Sequence, residues 1–155
     1  MNSDDTTTAT EEQMKLLEGK ENVFVGYEKE VLDLLVRPHL GDDLTSEVIR
    51  AGELVALRYT GVGYFLTVRH SSLPIERNVP RSPNVSGKLE VRRQRRFRNW
   101  TPEELLVGFV VFIEGYTVTI ECFSYGTLGT DGQIGQPFPV PTDIRERQVI
   151  ITSAP

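Results

Sequence analysis

Two histidines and one cysteine are the side chains of this sequence best suited to acid–base or nucleophilic chemistry near neutral pH. His70 precedes Ser71, so an imidazole lies next to a hydroxyl along the chain, and Cys122 supplies a thiol. Nucleophilic catalysis needs a base in contact with the nucleophile and a third group that orients the base. The sequence shows adjacency alone and no G-x-S-x-G motif. We therefore predict a non-enzymatic protein and keep catalysis by His70 or Cys122 as the competing enzyme hypothesis.

Acidic and glycine-rich segments are further candidates for chemistry. Asp42, Asp43 and Glu47 offer oxygen ligands, but the spacing D-x-D-x-D-G of a calcium loop is absent. Asp43 is equally suited to cap a helix, where the dipole favours an acid. Gly61-Val62-Gly63 lacks the third glycine of a dinucleotide-binding loop, and no lysine follows the glycines of residues 129–135. The sequence therefore predicts neither a metal site nor a cofactor.

Basic residues are concentrated in the middle of an otherwise acidic chain. Residues 59–100 contain 9 basic and 2 acidic residues, and six of the basic ones lie in Lys88–Arg98. Arginines there would neutralise phosphates, and an aromatic ring could stack on bases. A nucleic-acid-binding domain usually has a high isoelectric point, whereas this chain has a net charge of −5. Nucleic-acid binding is therefore the alternative function, and its candidate residues are Arg92, Arg93, Arg95, Arg96 and Phe97.

Acidic residues dominate the N-terminal third. Residues 1–58 contain 13 acidic and 6 basic residues. Carboxylates on predicted helices would steer a basic protein partner, and a tyrosine could anchor the contact. The alternative is that they are solvated acids on the outer faces of helices. The candidate partner-binding residues are Glu28, Glu30, Asp33, Asp42, Asp43, Glu47 and Tyr125.

Apolar periodicity predicts helices first and strands afterwards. Tyr27, Val31, Leu34 and Leu35 repeat with helical spacing until Pro38, and one further turn is expected over Glu47–Arg50, capped by Asp43 or Thr45. A short helix is also expected over Glu11–Glu18.

Two hairpins are predicted from Glu53 onward. Glu53–Thr60 and Tyr64–His70 flank a glycine-rich turn. Gly108–Phe123 would fold around a two-residue loop at Glu114-Gly115, which places Cys122 on the apolar face. Lys88–Arg96 is expected as an edge strand and Gln148–Thr152 as a closing strand. The predicted fold is α+β, with N-terminal helices packed on a mostly antiparallel sheet.

Length and composition favour one globular domain. The 155 residues suit a single α+β domain over residues 10–155 after a disordered tail at residues 1–9. The acidic start lacks the basic and apolar parts of a secretory signal, and the lone cysteine cannot form an internal disulfide. We therefore expect a cytoplasmic protein without a membrane partner.

Three segments resemble a loosely defined group of small bacterial proteins. They are Gly61–Val68, Gly108–Phe112 and Glu121–Gly126, within a similarity that spans residues 53–126. The group includes proteins similar to the immunity partners of polymorphic or contact-dependent toxins. The resemblance implies stoichiometric inhibition, in which the protein binds and neutralises a cognate toxin domain without turnover.

Overall fold

Helices precede the main strands along the chain in the computed structural model, which describes residues 7–8, 23–73, 85–92, 102–128 and 134–153. Within these ranges the helices are α1 (Gly26–Leu35), α2 (Arg37–Leu40) and α3 (Asp42–Ala51), with a 3-10 turn at Ile144–Glu146. The strands are β1 (Thr7–Thr8), β2 (Glu53–Tyr59), β3 (Gly63–Arg69), β4 (Val85–Arg92), β5 (Pro102–Glu114), β6 (Thr117–Leu128) and β7 (Val149–Ser153).

The strands that the structure describes form one antiparallel sheet in the order β1-β2-β3-β6-β5-β4-β7. Two pairs of neighbouring strands, β2–β3 and β5–β6, form the two predicted hairpins. The protein is an α+β fold, as the sequence predicts.

One face of the sheet forms the core. Tyr64 of β3 lies opposite Cys122 of β6, which lies opposite Phe109 of β5, and all three are almost fully buried. Because facing residues of antiparallel strands point to the same side, this row and its neighbours form a continuous apolar surface. We call it the inner face, and the opposite side the outer face.

Helix α1 covers the inner face. Val31, Leu32 and Leu35 are buried in the core, and each contributes about 1.5–3 kcal/mol through burial. The ring of Tyr27 packs on Phe109 with centroids 5.7 Å apart. The helix ends at Leu35, and Pro38 lies in the first turn of α2, where its missing N–H costs no hydrogen bond.

The predicted register of the β5–β6 hairpin was wrong by two residues. The turn is formed by Gly115 and Tyr116, so Ile113 faces Val118 and Val111 faces Ile120. Gly115 has φ +56°, which suits the first central position of a tight hairpin turn. A shift of two residues preserves the faces of the sheet, so the predicted apolar set is still the buried one.

Several element boundaries also differ from the predictions. Helix α3 is longer than expected, because its first turn begins at Asp42 and its N-cap is Gly41 rather than Asp43 or Thr45. Strand β4 starts at Val85 and is not at the edge, since β7 pairs with its other side. Thr7 and Thr8 of the predicted disordered tail form β1, which pairs with β2 through its backbone. The helix expected over residues 11–18 lies outside the described residues.

Candidate partner-binding surface

Five of the six predicted helical acids lie on the outer surface of the helices. Glu30 and Asp33 project from α1, and Asp42, Asp43 and Glu47 from α3. Four of these residues are exposed and Glu47 is half-buried. We call this set the acidic helical surface.

Arginines neutralise part of the acidic helical surface. The guanidinium of Arg37 lies 2.5 Å from Asp33 and 3.3 Å from Asp42, so it ties α1 to α3. These hydrogen bonds raise the pKa of Arg37, and the hydrogen bond with Asp33 has the largest effect. Arg50 pairs with Glu47 one turn earlier on α3. Exposed pairs of this kind contribute little to the stability of a fold, because water and salt screen them.

Glu30 and Asp43 are the carboxylates of this surface without an ion-pair partner among the residues that the structure describes. Three basic residues accompany these five acids, namely Lys29 on α1, Arg37 at the start of α2 and Arg50 on α3. The surface is therefore acidic, but its unpaired charge is concentrated at two positions.

Glu28 does not belong to this surface, which corrects the sequence prediction. It is fully buried, and its carboxylate binds Arg145 of the 3-10 turn. Arg145 Nε donates to Oε2 and Nη2 donates to Oε1, each at 2.8 Å. The same Nη2 also donates to the carbonyl of Val23 at 2.7 Å, just before α1 begins. Glu28 therefore joins two parts of the chain that are 117 residues apart.

Two tyrosines complete this buried network. Tyr64 donates its hydroxyl proton to Glu28 Oε2 at 2.6 Å, so Tyr27 must be the donor in the 2.6 Å contact between the two hydroxyls. The N–H of Val25 donates to Glu28 Oε1 at 2.9 Å. The carboxylate thus accepts four hydrogen bonds, which is the condition under which a buried charge is tolerated.

Burial sets the titration behaviour of the groups in the network. Burial and the negative charge of Glu28 raise the pKa values of Tyr27 and Tyr64. Burial by itself would lower the pKa of Arg145, but the hydrogen bonds and charge of Glu28 outweigh it, so the pKa is raised. Both tyrosines are therefore neutral and Arg145 is charged at physiological pH.

Tyr125, the predicted aromatic anchor, lies on the outer face of the sheet. Its ring is 6.4 Å from that of Phe123, whose own ring covers Gly108. Nearby on this face, the guanidinium of Arg58 stacks over Phe65 at 5.0 Å. Helix α1 packs on the inner face, so the structure does not bring Tyr125 together with the acidic helical surface.

The arginine-rich candidates fall largely outside the described residues. Strand β4 ends at Arg92, whose backbone pairs with Pro102. Arg93, Arg95, Arg96 and Phe97 lie outside the described residues, and so does the Arg92 side chain.

His70 and Cys122 occupy separate environments. His70 Nδ1 accepts the N–H of Ser72 at 3.0 Å, which leaves the proton on Nε2 in the neutral ring. This histidine lines an open depression of about 410 Å³ together with Ala51, Glu53, Arg69, Ser71 and Tyr116. Cys122 faces Tyr64 at the other end of β3, and burial raises the pKa of its thiol well above the usual value. The two groups therefore do not form one site.

Sequence reasoning missed Arg145, because nothing in its local sequence connects it to Glu28. The signal that was present lies on α1. Glu28 precedes Val31, Leu32 and Leu35 by three, four and seven residues, which is the spacing of a core-facing stripe. An acid in such a stripe requires a buried cation or several hydrogen-bond donors.

Within the described ranges, no group of three or more His, Cys, Asp and Glu side chains could hold a metal ion. The helices of those ranges also include none whose length and apolarity would allow it to cross a membrane. Comparisons of the chain with protein-family models, with curated proteins and with solved structures find no match.

Proposed function

We propose that the protein is a non-catalytic, cytoplasmic immunity protein that binds and neutralises a bacterial toxin domain through the acidic helical surface. The observation that carries the proposal is that five carboxylates project outward from helices whose inner residues are buried in the core. The resemblance of three strand and turn segments to immunity-like proteins supports the same role. Glu28 is not part of the proposed contact, and neither is Tyr125.

The mechanism follows from electrostatics at a preformed surface. Unpaired carboxylates at Glu30 and Asp43 would attract a basic toxin domain and accelerate encounter. Asp33 and Asp42 already bind Arg37, so they contribute less field but can exchange this arginine for one of the partner. Because no bond is made or broken, inhibition is stoichiometric and depends on the lifetime of the complex.

The test is binding to the domain encoded by the neighbouring open reading frame, measured by co-purification and stopped-flow association at several salt concentrations. We expect a complex at micromolar concentration. A Glu30→Lys/Asp43→Lys variant should associate about tenfold more slowly at low salt and show a weaker salt dependence.

Glu30→Lys and Asp43→Lys are also measured singly. Their matched control is Glu114→Lys, which makes the same charge change as either of them at an exposed position beside the β5–β6 turn. It should associate like the unmodified protein. Absence of a complex with the neighbouring domain would refute the proposed function, and equal slowing by the control would refute the assignment of the surface.

Nucleic-acid binding is the second candidate, and it is supported by the concentration of six basic residues in Lys88–Arg98. It predicts binding to short DNA or RNA oligonucleotides that weakens with salt and is lost when Arg92, Arg93, Arg95 and Arg96 are replaced by Glu. Absence of oligonucleotide binding at low salt would exclude it.

A further inference from the structure

Stability alone does not require an ion pair at the buried positions of Glu28 and Arg145. Both side chains lie within a core that is otherwise formed mainly by aliphatic and aromatic residues. Moving two charges out of water is costly, and replacing such a pair by apolar residues of similar volume is often neutral or stabilising. What the pair adds over an apolar contact is a fixed direction, because its hydrogen bonds require specific angles.

The apolar contacts of α1 do not fix its rotation tightly. Successive residues of a helix are rotated by about 100°. Relative to Glu28, the buried Tyr27, Val31, Leu32 and Leu35 are spread over about 140° of the helix circumference. A stripe of this width can remain in contact with the sheet when the helix turns by about 20°.

The ion pair does not tolerate such a turn. Arg145 holds both oxygens of Glu28 at 2.8 Å in a fork, and the same guanidinium is bonded to Val23 ahead of the helix. Forked arginine–carboxylate pairs have strict planar geometry. The contact therefore fixes both the rotation and the start of α1.

Rotation of α1 determines where its outer carboxylates lie. Glu30 and Asp33 are about 200° and 140° around the helix from Glu28, so they point away from the sheet when Glu28 points into it. With a helix radius of about 5–6 Å, a 20° turn would displace them by roughly 2 Å. A displacement of this size breaks a hydrogen-bonded charge pair with a partner.

We propose that Glu28 and Arg145 are positioning residues that orient α1 for partner binding; this inference depends on the proposed function. The pair fixes the inward side of the helix, and through the rigid helix it fixes the outward carboxylates of Glu30 and Asp33. The partner then meets a preorganised surface rather than one that must be ordered on binding.

The experiment compares Glu28→Met/Arg145→Met with the unmodified protein and uses two readouts. Spin labels at Glu30→Cys and Tyr116→Cys, in a Cys122→Ala background, report the position of α1 relative to the sheet. Both labelled positions are exposed, and Tyr116 belongs to the β5–β6 turn. The double Met variant should give a distance distribution that is broadened or shifted by about 2 Å. The double Met variant should dissociate from the domain encoded by the neighbouring open reading frame about tenfold faster than the unmodified protein does.

Two further variants make the result decisive. Arg145→Lys retains the charge but not the forked geometry, so it should broaden the distance distribution. This variant tests the positioning role if the double Met variant fails to fold. Arg147 lies two residues after Arg145 and forms an exposed ion pair with Asp143. Arg147→Met removes this pair and should change neither readout.

The outcomes separate the two proposals. Unchanged distances in a folded variant would overturn the positioning role, and so would unchanged dissociation of its complex. If the unmodified protein does not bind the domain encoded by the neighbouring open reading frame, the proposed function is refuted. The distance measurement would still test whether the pair orients α1.

Discussion

Replacement of Gly108 by alanine should destabilise the protein through one identifiable clash on the outer face. A Cβ placed on Gly108 would lie 2.5 Å from Cζ, 2.8 Å from Cε2 and 3.2 Å from Cε1 of Phe123. Carbon atoms prefer separations of about 3.5–4.0 Å. The Phe123 ring would therefore have to withdraw by about 1 Å and would lose its contacts with Gly108 and Tyr125.

The expected magnitude combines two opposing effects. Overpacking costs about 1–3 kcal/mol, whereas replacing glycine by alanine lowers the entropy of the unfolded chain and stabilises by about 0.4–1 kcal/mol. The net loss of unfolding free energy should be about 0–2.6 kcal/mol, centred on about 1.3 kcal/mol. In a Phe123→Ala background the ring is absent, and Gly108→Ala should become neutral or stabilising.

Urea unfolding of the four proteins forms a double-mutant cycle. We expect a coupling energy of about 1–3 kcal/mol between positions 108 and 123. Gly26→Ala is the matched control, because an added Cβ there meets nothing within 4 Å. Gly63→Ala should destabilise the protein without relief from a side-chain movement, since its Cβ would meet the main-chain carbonyl of Cys122, which cannot swing away. Additive effects at 108 and 123, within about 0.5 kcal/mol, would refute the packing argument.

Three further predictions concern the core. Arg145→Met should lower the unfolding free energy by about 3–5 kcal/mol, because Glu28 is left buried and unpaired. Glu28→Met/Arg145→Met should lose far less unfolding free energy. Urea unfolding measures both losses, and equal losses would contradict the ion-pair argument. Cys122 should not react with Ellman's reagent in the native protein and should react after denaturation, because burial raises its pKa and blocks access; rapid native labelling would show that the strand opens. Raised pKa values of Tyr27 and Tyr64 keep both protonated in the folded state, so stability should hold below about pH 10 and then fall by about 1.4 kcal/mol per pH unit for each tyrosine. Tyr64→Phe should reduce this slope in alkaline unfolding measurements, and an unchanged slope would argue against the assignment.

The sequence predicted the elements whose periodicity is long and whose faces differ. The β5–β6 hairpin was found because apolar residues alternate from Gly108 to Cys122, and its even register error left the faces intact. The β2–β3 hairpin, the helix after Gly26 and the closing strand were found for the same reason. Strand β4 was misplaced at an edge because a basic sequence suggests solvent, while its pairing with β7 depends on residues about 60 positions away.

The candidate surface was predicted only in part. Leu34 was assigned to the buried stripe of α1 but is exposed, and Leu32 takes the buried position. That small rotational error is what placed Glu28 outside. With the stripe centred on Val31 and Leu35, Glu28 falls within it, and an interior partner becomes necessary. Arg145 could not be identified from sequence, because ion pairs distant along the chain leave no local pattern.

The charge that a partner would meet is therefore set by placement rather than by composition. Six acids lie between positions 28 and 47, of which one is buried against Arg145 and three are bound by Arg37 or Arg50. Glu30 and Asp43 remain on different helices, and Arg37 links those helices by binding both Asp33 and Asp42. Reversal of these two charges should consequently change association more than reversal of Asp33 and Asp42, although the change in net charge is the same. Equal slowing by the two double variants would mean that net charge, and not this arrangement, governs the encounter.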